Sequence, residues 1–136
     1  MKFYCLKEEL ADALNNVSKA TNSANNIEIL RGIKLEAKEG LTLYATNLEI
    51  SIKCTIEANV TEPGETVLDA RMFSDIIRKS DDGPINIEIN DKNEATIYTS
   101  KNKFNIAGIS AEEFPKFPDV YSSYVLTFES KEFKDI

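Results

Sequence analysis

The chain has 136 residues, 42% of them hydrophobic and 29% charged, with a formal net charge of −7. That length suits one domain with one core, and the balance of apolar and charged residues excludes wholesale disorder. No apolar run approaches the roughly 20 residues needed to cross a bilayer, and the acidic sign is wrong for simple electrostatic attachment to nucleic acid, where a basic footprint is expected.

Met1-Lys2-Phe3-Tyr4-Cys5 runs straight into the charged Lys7-Glu8-Glu9. It lacks the apolar stretch and small-residue cleavage site of a secretory signal, so the expected location is the cytoplasm. Lys2 to Leu6 reads as a short strand. Lys7 to Lys19 reads as a helix, because Leu10, Leu14 and Val17 make one apolar stripe. The polar stretch Thr21 to Asn26 is a loop. Three strand-like runs follow: Ile27 to Ala37, Leu41 to Ala45, and a third from Ile50 through Cys54, separated by Lys38-Glu39-Gly40 and Asn47. Alternation of period two between such punctuators predicts an antiparallel meander.

Thr61-Glu62-Pro63-Gly64 is a strong turn signal, after which the order repeats. Thr66 to Leu68 is a short strand. Asp69 is an N-cap for a helix over Ala70 to Lys79 with Phe73, Ile76 and Ile77 on its apolar face, and Asp81-Asp82-Gly83-Pro84 stops it. Three strands follow around Ile85/Ile87/Ile89, Ala95/Ile97 and Phe104/Ile106. The fold class is therefore α+β, a strand-helix-three-strand unit written twice, with two helices packed on antiparallel sheets and one face of each helix left open.

The tail carries an echo. A new strand-like run starts at Val125, and Leu126, Phe128, Lys131, Glu132, Phe133 and Ile136 repeat the character of Phe3, Cys5, Glu8, Glu9, Leu10 and Ala13 at a constant offset. The expectation is that a second copy of the unit begins here and is cut within a helix.

The two cysteines, Cys5 and Cys54, leave a disulfide open on count alone, while an intracellular setting favours two buried thiols. There is no histidine. That removes the commonest general base and metal ligand, excludes Ser-His-Asp and Cys-His catalysis within the chain, and leaves too few ligands for an ordinary zinc site. No cofactor is implied. Asp75, Asp81, Asp82 and Asp91 are the carboxylates that a Mg2+-dependent nuclease would need, but Asp81-Asp82-Gly83 and Asp91-Lys92-Asn93 are better explained as turns.

Several local patterns now fall in order: Met1-Lys2-Phe3, Asn16-Val17-Ser18-Lys19, Ile29-Leu30, Ala45-Thr46-Asn47-Leu48-Glu49-Ile50, the run Asp69 to Arg78, and Ala111-Glu112-Glu113-Phe114-Pro115. Together they resemble the bacterial DNA polymerase III beta subunit, the sliding clamp family. The match spans nearly the whole chain without large gaps, and it departs at Asn47, where the family usually has Asp. The resemblance implies a DNA-clamp domain over residues 1–122 and the truncated start of a second over 123–136. It implies a non-catalytic protein of three such domains, two copies closing head to tail into a ring with helices lining the hole and sheets outside. Its partners would be double-stranded DNA and, through the full-length protein, the replicative polymerase and the clamp loader. The peptide-binding cleft of the family is built mainly from later domains.

Candidate sites follow. The whole chain has three arginines, Arg31, Arg71 and Arg78, and two of them share the second helix with Lys79 and Asp75. Pattern alone reads this as a solvated helix face, although guanidinium forks also suit phosphate oxygens. The resemblance matches Arg71 to a DNA-contacting arginine and adds Arg78 and Lys79 as further candidates. Lys19 either steadies the end of the first helix or contacts phosphate. Ala24 stands where relatives often carry a basic residue that touches DNA, which leaves Asn22, Asn25 and Asn26 as weaker donors. Lys101, Lys103, Phe104 and Ile106, assigned to the last strand, read as edge-protecting lysines and core. By resemblance they form the protomer interface with the third domain of the other subunit. Without that domain the chain is expected as a monomer or a non-native dimer. The rival reading is a small intracellular interaction module of the same fold with a non-DNA partner.

Overall fold

The computed structural model describes residues 1–21, 28–115 and 124–129. The loop residues Asn22, Ala24, Asn25 and Asn26, and the tail residues Lys131, Glu132, Phe133 and Ile136, lie outside the described residues. Strand β1 (Lys2–Leu6) leads into helix α1 (Lys7–Val17), and β2 (Gly32–Ala37), β3 (Leu41–Thr46) and β4 (Ile50–Ile56) form the first meander. A short β5 (Asn59–Glu62) follows. Then β6 (Gly64–Asp69), α2 (Ala70–Lys79), β7 (Pro84–Ile89), β8 (Glu94–Tyr98) and β9 (Lys103–Ile109) repeat the plan, and β10 is Tyr124–Glu129.

The strands pair in the order β10-β4-β3-β2-β6-β9-β8-β7-β1-β5. Each unit lends its first strand to the other: β1 pairs with β7, and β6 pairs with β2 from Gly32↔Asp69 to Ala37↔Gly64. The two repeats are thus interlocked and share one core. Among the described residues every pairing is antiparallel except β10 on β4, which is parallel from Tyr124↔Ile50 to Glu129↔Thr55.

Alternate residues of the strands, among them Phe3, Ile33, Leu35, Leu43, Ile52, Ile85, Ile87 and Ile97, enter one apolar cluster. Leu10, Ala13, Leu14 and Val17 of α1 and Ala70, Phe73 and Ile77 of α2 close it. Strands from both ends of the sheet reach this cluster, so the sheet curls around it. Phe73 and Ile77 are fully buried, as the apolar face of α2 requires, while Ile76 is half-buried. Strand β6 is covered on both sides, because Leu68 joins the main core while Val67 packs with Ala111 and Phe114 on the opposite face. The Ala111-to-Pro115 motif therefore tucks Phe114 under the outer side of the sheet.

The Ala45-to-Ile50 motif is a hydrogen-bonded turn. Thr46 Oγ1 accepts from the Leu48 N–H at 3.0 Å, and Asn47 Oδ1 accepts from the N–H groups of Glu49 (2.9 Å) and Ile50 (2.7 Å). Leu48 is held at φ 78° in this turn. Only an acceptor oxygen is required of residue 47, so Asn47 serves where the family usually has Asp.

Four sequence expectations need correction. The run from Ile27 is not strand throughout: Glu28–Arg31 is a short 3-10 helix and β2 starts at Gly32. Helix α1 ends at Val17, and Ser18–Ala20, including Lys19, tightens into a 3-10 turn. β5 was hidden by the turn signal at Pro63; it is an exposed edge strand with no apolar alternation to reveal it. Lys101 sits in the β8–β9 turn, not on β9; there Thr99 Oγ1 donates to the Asn102 carbonyl and accepts from the Asn102 N–H, closing the chain reversal. Cys5 and Cys54 are free and buried. Burial, with Glu9 adding to it, pushes the Cys5 thiol up to about 12, and burial pushes Cys54 up to about 11.

Candidate nucleic-acid interface

The apolar faces of both helices are spent on the core, which leaves their polar faces side by side. Between them runs a groove of about 500 Å³. Helix α1 contributes Ala11, Leu14 and Asn15 to it, and Ser18 and Thr21 continue that wall beyond the helix. The opposite wall is the start and outer face of α2, from Asp69 through Arg71, Ser74 and Asp75 to Arg78. Arg31 completes the lining, so all three arginines of the chain meet in one groove.

Local chemistry fixes the α2 wall. The Asp69 carboxylate accepts a hydrogen bond from the Met72 N–H at 3.0 Å, satisfying one of the open donors of the first turn. Phe73 and Ile77 then lock the helix rotation, and Arg71 and Arg78 are turned outward and exposed. Arg78 forms an ion pair with Asp75 one turn earlier. Arg71 and Arg31 have no ion pair among the described residues. Two hydroxyls in the lining, Ser18 Oγ on the α1 side and Ser74 Oγ on α2, are buried with no hydrogen-bond partner in the described structure.

The predicted cations divide. Arg71 and Arg78 line the groove, whereas Lys79, the last residue of α2, and Lys19, in the 3-10 turn after α1, are exposed outside its lining. Sequence reasoning missed Arg31. The available signal was the arginine count, but the residue's place depends on the β2–β6 register. Pairing of Gly32 with Asp69 sets Arg31 beside the N-terminus of α2.

The other predicted set sits on β9. Phe104 pairs with Ile97 and Ile106 with Ala95, both turned inward; Ile106 is buried and Phe104 half-buried. Lys103 points outward, with its ammonium 5.7 Å from the Tyr98 ring centroid. Lys101 lies 3.8 Å from Asp81. Strand β9 pairs with β8 over Lys103–Ala107 but meets β6 only at Gly108 and Ile109. Its Lys103–Ala107 stretch therefore has one unpaired edge among the described residues.

The acidic residues weighed for metal chemistry are dispersed. Asp75 faces Arg78, Asp81 faces Lys101, and Asp82 lies 3.7 Å from Lys7. Among the described residues no group of three or more His, Cys, Asp or Glu side chains is placed to hold a metal ion. No helix among them is long and apolar enough to cross a membrane.

Residues 1–118 match the family model described as the DNA polymerase III beta subunit, N-terminal domain. The chain is similar over its whole length to proteins named beta sliding clamp from Halalkalibacterium halodurans (32% identical) and Bacillus subtilis (30%). It spans 38% of the length of each. The crystal structure of the Bacillus subtilis DNA polymerase sliding clamp superposes with a TM-score of 0.85 at 31% identity, covering 91% of this chain and 35% of that one. The beta subunit of Streptococcus pyogenes DNA polymerase gives 0.84 at 28% identity, covering 91% and 34%.

Proposed function

The chain belongs to the DNA polymerase III beta subunit family, as its N-terminal domain, and on that premise we propose that it forms part of a ring that encircles duplex DNA and holds a replicative polymerase there. It acts without catalysis, in the cytoplasm, as a processivity factor. The observation that carries this reading is the groove between the polar faces of α1 and α2, where Arg71 and Arg78 collect in a chain that is acidic overall. A local basic wall on an acidic body attracts phosphate there and repels it elsewhere.

Few cations suit sliding. Each neutralised phosphate steepens the dependence of log K on log salt by about 0.9. Two to four contacts give shallow dependence and weak grip, so closure of the ring, and not affinity, retains the DNA. Lys19 and Lys79, outside the groove, belong to the same channel wall as outer contacts.

The unpaired edge of Lys103–Ala107 supports a seam. In the assembled homodimer this edge adds a strand from the third domain of the other protomer, with Lys101 and Lys103 meeting acidic side chains and Phe104 and Ile106 backing the joint from the core side. Residues 123–136 start the second domain, and the polymerase and clamp loader bind through later domains. By itself the chain is a monomer or a non-native dimer.

The test is replication with the protein expressed from its whole gene. Arg71→Ala with Arg78→Ala is expected to shorten the products of processive synthesis and to speed loss from circular DNA while the melting temperature holds. Undiminished retention on circular DNA removes the channel assignment.

A further inference from the structure

We propose that Arg31 is a third phosphate-contacting residue of the interhelical groove, completing a cradle for the backbone of duplex DNA; the inference rests on the DNA reading above and extends it. Arg31 reaches the groove from outside both helices, at the end of the Glu28–Arg31 turn, because Gly32 pairs with Asp69. The groove's charges are not equivalent. Arg78 is engaged by Asp75, and Asp69 is committed to the α2 N-cap. Arg31 and Arg71 have no carboxylate partner among the described residues, and Arg31 is half-buried. A partly desolvated guanidinium without an anion is costly, and a phosphate supplies what is missing through charge-assisted hydrogen bonds.

Arg31 and Arg71 thus offer two guanidiniums without a carboxylate partner among the described residues in one groove, a donor set that fits phosphodiester oxygens.

The test is a titration of a short labelled duplex with the 136-residue chain, by fluorescence anisotropy over a series of low salt concentrations. Arg31→Ala, Arg71→Ala and Lys38→Ala are compared, Lys38 lying beyond the far end of β2. Arg31→Ala and Arg71→Ala are each expected to make the salt slope shallower by about 0.9, with Lys38→Ala unchanged. A shallower slope for Arg71→Ala alone overturns the Arg31 assignment and leaves the DNA reading standing. An equal loss in all three variants also overturns it, since general charge then explains the effect. A salt-dependent binding whose slope neither arginine alters overturns both.

Discussion

The two halves of the domain share a plan and differ in charge. Each has a strand, a helix and a three-strand meander, and each helix buries an apolar stripe in the same core. Yet α1 carries Lys7 against Glu8, Glu9 and Asp12, whereas α2 carries Arg71, Arg78 and Lys79 against Asp75 alone. Helix α2 has a side-chain N-cap and α1 has none. The core constrains both helices equally, so the exposed faces were free to diverge. The polar face of α1 supplies the groove with Asn15 and, just past its end, Ser18, and α2 with Arg31 supplies the charge.

If the halves are equal in the core, truncations in each should cost alike. Phe73→Ala is expected to lose about 3–5 kcal/mol and Leu14→Ala about 2–5 kcal/mol, read by chemical denaturation. A Leu14 variant that unfolds no more easily than the parent would mean that α1 is not part of the shared core.

The joint between the halves comes next. A Cβ on Gly32 would lie 2.4 Å from Val67 Cγ1 and 3.2 Å from the Leu68 carbonyl oxygen, so Gly32→Ala requires Val67 to repack or β2 to shift against β6. The expected loss is about 1–3 kcal/mol in the same denaturation experiment, with weaker DNA binding because Arg31 is displaced. Unaltered stability would show that the β2–β6 contact yields easily.

Capping separates the helices more finely. Asp69→Ala should cost about 1 kcal/mol through the lost bond to the Met72 N–H, whereas Leu6→Ala, at the uncapped and exposed start of α1, should cost less. Equal melting temperatures for the two variants would erase this distinction.

Alkali acts on the first half, where both thiols reside. Each has its pKa raised by burial from the ordinary 9.0, Cys5 to about 12 and Cys54 to about 11, so the folded state holds its protons more tightly than the unfolded chain. Their contribution is full below pH 9.0 and is lost as pH rises through the folded values. Melting temperature should fall over that window, and Cys5→Ala with Cys54→Ala should flatten the fall. An identical pH profile would assign the loss to other groups.

The smallest stability effect belongs to Asp75→Asn. The Arg78–Asp75 pair is exposed and spaced i,i+3, worth about 0.2–0.5 kcal/mol. Melting should barely move, while DNA binding acquires a steeper salt dependence as Arg78 is released. A slope that stays the same would mean that Arg78 makes no phosphate contact.

Much of this was legible because it is local. The bounds of α2 follow from Asp69 at its start, Phe73 and Ile77 on one face, and the Asp81-to-Pro84 stop. The meanders follow from alternation. The hidden parts are non-local or featureless. The lending of β1 and β6 between halves leaves no trace in either strand's own residues. β5 has no buried alternation. Arg31 looked like an isolated cation because only the sheet register sets it opposite α2. Lys19 and Lys79 have the right charge, but helix rotation and the tightening after Val17 leave them outside the groove.

The claim that the polar helix faces meet duplex DNA is tested most directly by residue-resolved NMR during titration of the 136-residue chain with a short duplex at low salt. The account predicts shifts at Arg71, Arg78, Ser18 and Ser74, with Tyr4 and Tyr98 on the exposed side of the sheet unmoved. Shifts confined to Tyr4, Tyr98 and their neighbours, with a silent groove, would contradict it.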